Sequence, residues 1–150
     1  MILYHFTSAY HLKMILKSGM IRTTDSCLTP GLPNSAEVVK DPKVVWLTND
    51  ASWSHQNWRQ GSLVDKAEVR IAVELPRDNV YKWLRWAKQH GAPERWIKAL
   101  INNGGGLAEA NHWYVCEDPV PSFRWRKIEL RSGERLARSR HTPSEGGTAT

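Results

Sequence analysis

Cysteine is scarce in this sequence, with Cys27 and Cys116 the two thiols in 150 residues. They are too few for the disulfide framework of a small secreted domain, and they follow no metal-ligand spacing. The reading they favour is free thiols in a cytoplasmic protein. Long apolar runs are missing as well. No stretch approaches the roughly 18 consecutive apolar residues that a membrane helix requires, so no membrane partner is expected. The N-terminus lacks a basic segment followed by an apolar run, and no secretory signal is expected. The sequence has no G-x-S-x-G, no G-x-x-x-x-G-K and no H-E-x-x-H, which removes the commonest serine-hydrolase, P-loop and zinc-protease readings. His5 and His11 find no nearby Cys or carboxylate in sequence to complete a ligand set, so no metal is expected. There are no internal repeats.

What remains is ordinary in bulk and odd in detail. At 41% hydrophobic and 24% charged, the chain has the composition of a globular protein and the length of one compact domain. A formal charge of +6 and a pI near 9.5 favour polyanionic partners. Part of that excess lies in the tail, where Arg131, Arg135, Arg138 and Arg140 face only Glu134 and Glu145. A solvated terminus and a nucleic-acid arm both fit such a tail. Eight tryptophans are many for this length. Tryptophan buries a large apolar surface and retains one N–H to satisfy, so it suits a small core or a surface that stacks on bases.

The clearest local pattern is at the start. Ile2 to Phe6 is a short apolar run of strand character. Ser8 is placed to cap a helix in which Leu12, Ile15 and Leu16 share a face, and Gly19 supplies a left-handed stop. Residues 25 to 43 hold three prolines and many small polar residues and predict a long loop. Val44 to Thr48 predicts a second strand. Val69, Ile71, Val73 and Leu75 alternate with Glu68, Arg70, Ala72 and Glu74, a period-two strand ended by Pro76.

Asp78 is placed to cap a helix with Val80, Trp83, Leu84 and Ala87 on one face. A further helix near Pro93 carries Trp96, Ile97, Leu100 and Ile101. Asn102 to Gly106 predicts a flexible break. Trp113 to Cys116 and Trp125 to Leu130 predict two more strands, separated by Pro119-Val120-Pro121. Adjacent helices among the strands, without βαβ alternation, predict an α+β domain over residues 1–130, with a mainly antiparallel sheet and about three helices. A disordered basic tail is expected over 131–150.

Among residues that carry chemistry, His5 comes first. On a strand, His5 and Thr7 share one face and Phe6 the other. A histidine and a hydroxyl just before a helix N-terminus can hold a ribose or phosphate. A histidine bonded to a backbone carbonyl in an apolar strand is the plainer alternative. Arg22 and Arg70 are candidate phosphate clamps, although Arg70 projects from the polar face of its strand, where solvent is the default. Trp53, His55, Asn57 and Trp58 form either a stacking loop or a flap over the small core. Trp83 and Trp96 match apolar helix faces, whereas Trp86 is less well placed and predicts exposure.

The opening His-aromatic-Thr strand and its Gly-ended helix resemble the start of the ADP-ribosyltransferase fold. The branch in question holds RNA 2'-phosphotransferases and DNA-modifying ADP-ribosyltransferase toxins. Val44 to Thr48, Ala67 to Leu75, and Trp113 to Cys116 followed by Pro119-Val120-Pro121 resemble its later blocks, as short pieces spread over residues 3 to 130. The same blocks resemble a group of short actinobacterial and phage proteins. The resemblance implies a split sheet and NAD as a substrate. It implies that His5, with Phe6 and Thr7, contacts the ribose and nicotinamide amide, and that Trp46 and Thr48 line the nicotinamide pocket.

The chain departs from that pattern where a catalytic glutamate stands, roughly eight residues before the proline. There it has His112 and Trp113. His112 is therefore the first candidate for assisting transfer, with Glu109 and Glu117 flanking it. A carboxylate or imidazole is wanted there to orient the acceptor or take its proton. The charge favours a nucleic-acid acceptor. The rival expectations are a non-enzymatic nucleic-acid-binding module and a phage-type inhibitor that keeps the fold without its chemistry.

Overall fold

The computed structural model describes residues 1–28, 42–56 and 65–132. The expected tail, from residue 133, lies outside these residues, as do Asn57, Trp58 and most of the predicted 25–43 loop. The fold is α+β.

Strand β1 (Ile2–Thr7) leads into helix α1 (Ala9–Ser18), as the sequence predicts. Ser8 is the N-cap, its Oγ accepting the His11 N–H at 3.0 Å. Gly19 ends the helix at φ 73°, a left-handed conformation that side-chain-bearing residues adopt at a cost. Two short strands follow, β2 (Met20–Ile21) and β3 (Thr24–Asp25), and then β4 (Lys43–Thr48) and β5 (Val69–Glu74).

The segment after Pro76 differs from expectation. Asp78 sits in a one-turn 3-10 helix (Arg77–Asn79) and caps nothing further. Val80 to Lys82 is extended, contributing β6 (Tyr81–Lys82), and helix α2 begins only at Trp83 (Trp83–Gln89). The backbone gains a pairing with β7 that a longer helix would forfeit. Helix α3 (Glu94–Asn103) follows Pro93. The glycine-rich break holds a one-turn helix α4 (Leu107–Ala110), so the described residues contain four helices rather than about three. Strands β7 (Trp113–Cys116), β8 (Val120–Pro121) and β9 (Trp125–Leu130) complete the order.

The main sheet runs β6-β7-β4-β1-β5-β9, with β3 also on β4, and every pairing in it is antiparallel. β2 and β8 form a separate ribbon. The sheet is unevenly joined at its middle. β1 meets β5 in continuous register from Ile2↔Glu74 to Thr7↔Val69, and β4 meets β7 from Val45↔Cys116 to Thr48↔Trp113. β1 and β4 share the single register pair Tyr4↔Thr48. Past Tyr4 the two strands part.

Each face has its own core. Leu3, Val45, Leu47, Val69, Ile71 and Val73 pack with Leu12 and Ile15 of α1. On the other face Val44, Trp113 and Val115 pack with Trp83, Trp86 and Ile97 of α2 and α3. Trp46, Trp83 and Trp113 gather there, with ring centroids 5.1 to 6.4 Å apart. Trp86 was expected to be exposed but is 2% exposed. Its Nε1 donates to Glu117 at 2.9 Å, so the polar tip is satisfied while the ring fills the core. Among the described residues, no helix is long and apolar enough to cross a membrane.

Candidate functional site

Where β1 and β4 separate, the backbone ladder stops and a side chain takes over. His5 Nδ1 lies 2.9 Å from the carbonyl oxygen of Trp46. A carbonyl only accepts, so Nδ1 carries the proton and donates. Burial disfavours the imidazolium and holds the His5 pKa below its ordinary value, against the opposing pull of the Trp46 carbonyl. The ring is therefore neutral near pH 7, and its Nε2 is left as a hydrogen-bond acceptor.

A cleft of about 650 Å³ opens at this split, a volume in the range of small-molecule sites. His5, Phe6 and Thr7 of β1 line it, with His11, Met14 and Ile15 of α1, the 20–25 segment, and Trp46, Leu47 and Thr48 of β4. Gln56, Lys66, Leu100 and Trp113 also line it. Of the residues named as candidates for binding, His5, Phe6, Thr7, Arg22, Trp46 and Thr48 lie on this one cavity, and Arg70 does not. Trp46 is held on two sides, by the tryptophan cluster and by its Nε1, which donates to the Asp25 carbonyl at 3.0 Å. Ser8 Oγ, having accepted the His11 amide, lies 2.8 Å from His11 Nδ1 and can donate its proton there.

The N-terminus of α1 is not open to a phosphate in the way the sequence suggests. Its Ala9 N–H donates to the Glu68 carboxylate at 2.9 Å, and its His11 N–H to Ser8. A carboxylate from β5's approach already satisfies the helix end. Among the described residues, Arg22 and Lys66, both exposed, are the long cations on the cleft.

Arg70 is neither in solvent nor on the cleft. Its guanidinium meets Glu129 at 2.6 Å and the Ala51 carbonyl at 2.6 Å, and it lies 4.5 Å over the Trp53 ring. Trp53 in turn packs edge-on against Phe6, 5.5 Å between centroids. Trp53 thus packs on the sheet through Phe6 and Arg70.

The three candidates for assisting chemistry do not converge. His112 stands at the entry to β7 and its Nδ1 is 2.6 Å from Asn49 Oδ1. Glu117 lies beyond the other end of the same strand, bonded to Trp86. Glu109, on α4, meets Asp50 and His55 instead. His55 Nδ1 is 2.7 Å from Asp50 Oδ2 and 3.8 Å from Glu109 Oε1. None of the three lines the cleft among the described residues; Trp113, beside His112, does.

The Asp50–His55–Glu109 cluster has unequal carboxyls. Burial, then hydrogen bonding to Asp50 and its charge, push Glu109 up to about 7. Asp50 is held below the usual carboxylate range: the Ser52 N–H and His55 outweigh its desolvation. The Asp50 contact raises His55, which is exposed. The sequence reading missed Asp50. A D-x-x-x-x-H spacing after a strand was the one local signal, and the third member arrives from 54 residues beyond His55.

Comparison with known proteins found nothing to set beside this geometry: no family model, curated protein or solved structure matches the chain.

Proposed function

We propose that this chain binds NAD in the cleft at the β1–β4 split, as a nucleotide-binding protein of ADP-ribosyltransferase type. The observation that carries the reading is the placement of His5. It spans the split through Nδ1, is kept neutral by burial, and lines a cavity large enough for half of a dinucleotide. A neutral imidazole with Nε2 unprotonated accepts a hydrogen bond from a ribose hydroxyl or a carboxamide N–H. Thr7 and Thr48 add hydroxyls, Trp46 and Trp113 add apolar walls, and Arg22 and Lys66 supply charge for a pyrophosphate.

Binding is better supported than turnover. No carboxylate lines the cleft from the position that the resemblance gives to the acid, and Glu109 and Glu117 are engaged elsewhere. The proposal is therefore a nucleotide-binding role, with transfer to an acceptor left to a residue that a substrate would bring or move. Calorimetric titration of NAD into the wild-type chain and into His5→Ala and Arg22→Ala variants tests it. The expected result is saturable binding by the wild type, abolished in His5→Ala and weakened in Arg22→Ala. An absence of wild-type binding, or binding that ignores His5, overturns the proposal.

A further inference from the structure

A second site stands apart from the cleft lining. We propose that Asp50, His55 and Glu109 bind a divalent transition-metal ion of the zinc class, which fastens the segment after β4 to helix α4.

Each residue offers one ligand atom, and the three atoms lie within 4.8 Å of one another. A zinc-class ion sits about 2.0–2.2 Å from nitrogen and oxygen ligands, which requires those ligands to be roughly 3.0–3.5 Å apart. The separations of 2.7 Å and 3.8 Å from His55 Nδ1 straddle that range. One imidazole and two carboxylates, with solvent free to complete the shell, match an ion that accepts nitrogen. Calcium and magnesium favour all-oxygen sets.

Two features go beyond a simple His–Asp ion pair. Glu109 Oε2 is buried and has no hydrogen-bond partner among the described residues, which is costly for an oxygen beside a second carboxylate. Asp50 is also fixed before any ion arrives. Its Oδ1 accepts the Ser52 N–H at 2.9 Å and its backbone carbonyl accepts Gln56 Nε2 at 3.2 Å, so Oδ2 is left toward His55. Such outer contacts orient the ligands of metal sites. They also join the site to the cleft wall, because Thr48 Oγ1 accepts the Asp50 N–H at 3.0 Å and both Thr48 and Gln56 line the cleft. The metal would thus set the position of two residues that face the nucleotide. The site's existence does not depend on what the cleft binds.

The test uses the full chain, freed of metal with a chelator and then exchanged into chelator-free buffer. Zinc ion alone is titrated by calorimetry, and cobalt(II) ion alone by visible absorption, into the wild type and Asp50→Asn, His55→Ala, Glu109→Gln and His90→Ala variants. Circular dichroism checks that each variant is folded. The expected result is one equivalent bound by the wild type and by His90→Ala, with affinity reduced roughly 10- to 100-fold or more in each of the other three. The cobalt spectrum should lose its nitrogen-ligand character in His55→Ala. No stoichiometric binding by the wild type overturns the proposal, as does binding that all three substitutions leave unchanged.

Discussion

Replacing His5 with leucine preserves much of the side chain's volume and deletes the N–H that crosses the strand split. The Trp46 carbonyl, which accepts that hydrogen bond at 2.9 Å, loses it at the point where the backbone ladder between β1 and β4 has already stopped. A hydrogen bond contributes about 0.5–1.5 kcal/mol net, and desolvating its acceptor without that bond adds to the loss. Leucine's extra apolar burial offsets some of this, giving an expected loss of about 1–2 kcal/mol. With unfolding entropy of about 2.1 cal/mol/K per residue over a folded unit of roughly 130 residues, Tm should fall by about 4–7 °C.

Acidity supplies a sharper signature. His5 has a folded-state pKa below its unfolded value, so its contribution is present above the ordinary histidine value. That contribution is lost as pH falls through the folded pKa. The stability gap between wild type and His5→Leu should therefore be widest at pH 7–8 and shrink as pH falls through the depressed folded value. Thermal unfolding followed by tryptophan fluorescence and circular dichroism measures both. A Tm unchanged by the substitution, or a gap that widens on acidification, refutes the reasoning.

Four further expectations concern the frame around the cleft. In a double-mutant cycle, Arg70→Met and Glu129→Gln should show a coupling of about 1–2 kcal/mol that survives moderate salt. The guanidinium is only 17% exposed at its side chain and is held by a carbonyl and a ring as well as a carboxylate. Trp86→Ala should cost about 3–5 kcal/mol by chemical denaturation, since a fully packed indole leaves the core. Glu117→Ala should cost about 1 kcal/mol, chiefly the bond to Trp86 Nε1. Gly19→Ala should destabilise by about 1 kcal/mol in the same assay. The added Cβ meets nothing within 4 Å, so the cost is that of φ 73° alone.

Much of the frame is legible where local chemistry decides it. The Ser8 cap, the Gly19 stop, the alternation of β5 and the apolar runs of β4, β7 and β9 are all set by neighbours in sequence. Two-residue strands such as β2, β3, β6 and β8 leave no period to read. They exist because a partner strand lies alongside. Asp78 illustrates the competition: aspartate suits a helix cap, but β7 offers Tyr81 and Lys82 a ladder that delays the helix to Trp83. The burial of Trp86 is not legible in helical spacing, which says nothing about Glu117, 31 residues on, which satisfies its N–H. At the candidate site the local motif of β1 pointed to the cleft, whereas the Asp50–His55–Glu109 grouping depends on α4 folding back over the segment after β4. No sequence spacing reports that.

Nitrogen-15 NMR of the histidine rings reaches the central proposal most directly, because it reads the protonation of each His5 nitrogen with and without NAD. The expected result is a neutral ring protonated at Nδ1 near pH 7, with the Nε2 signal shifting on saturation with NAD as it accepts a hydrogen bond. A ring protonated at Nε2, or His5 signals that NAD leaves untouched, would contradict it.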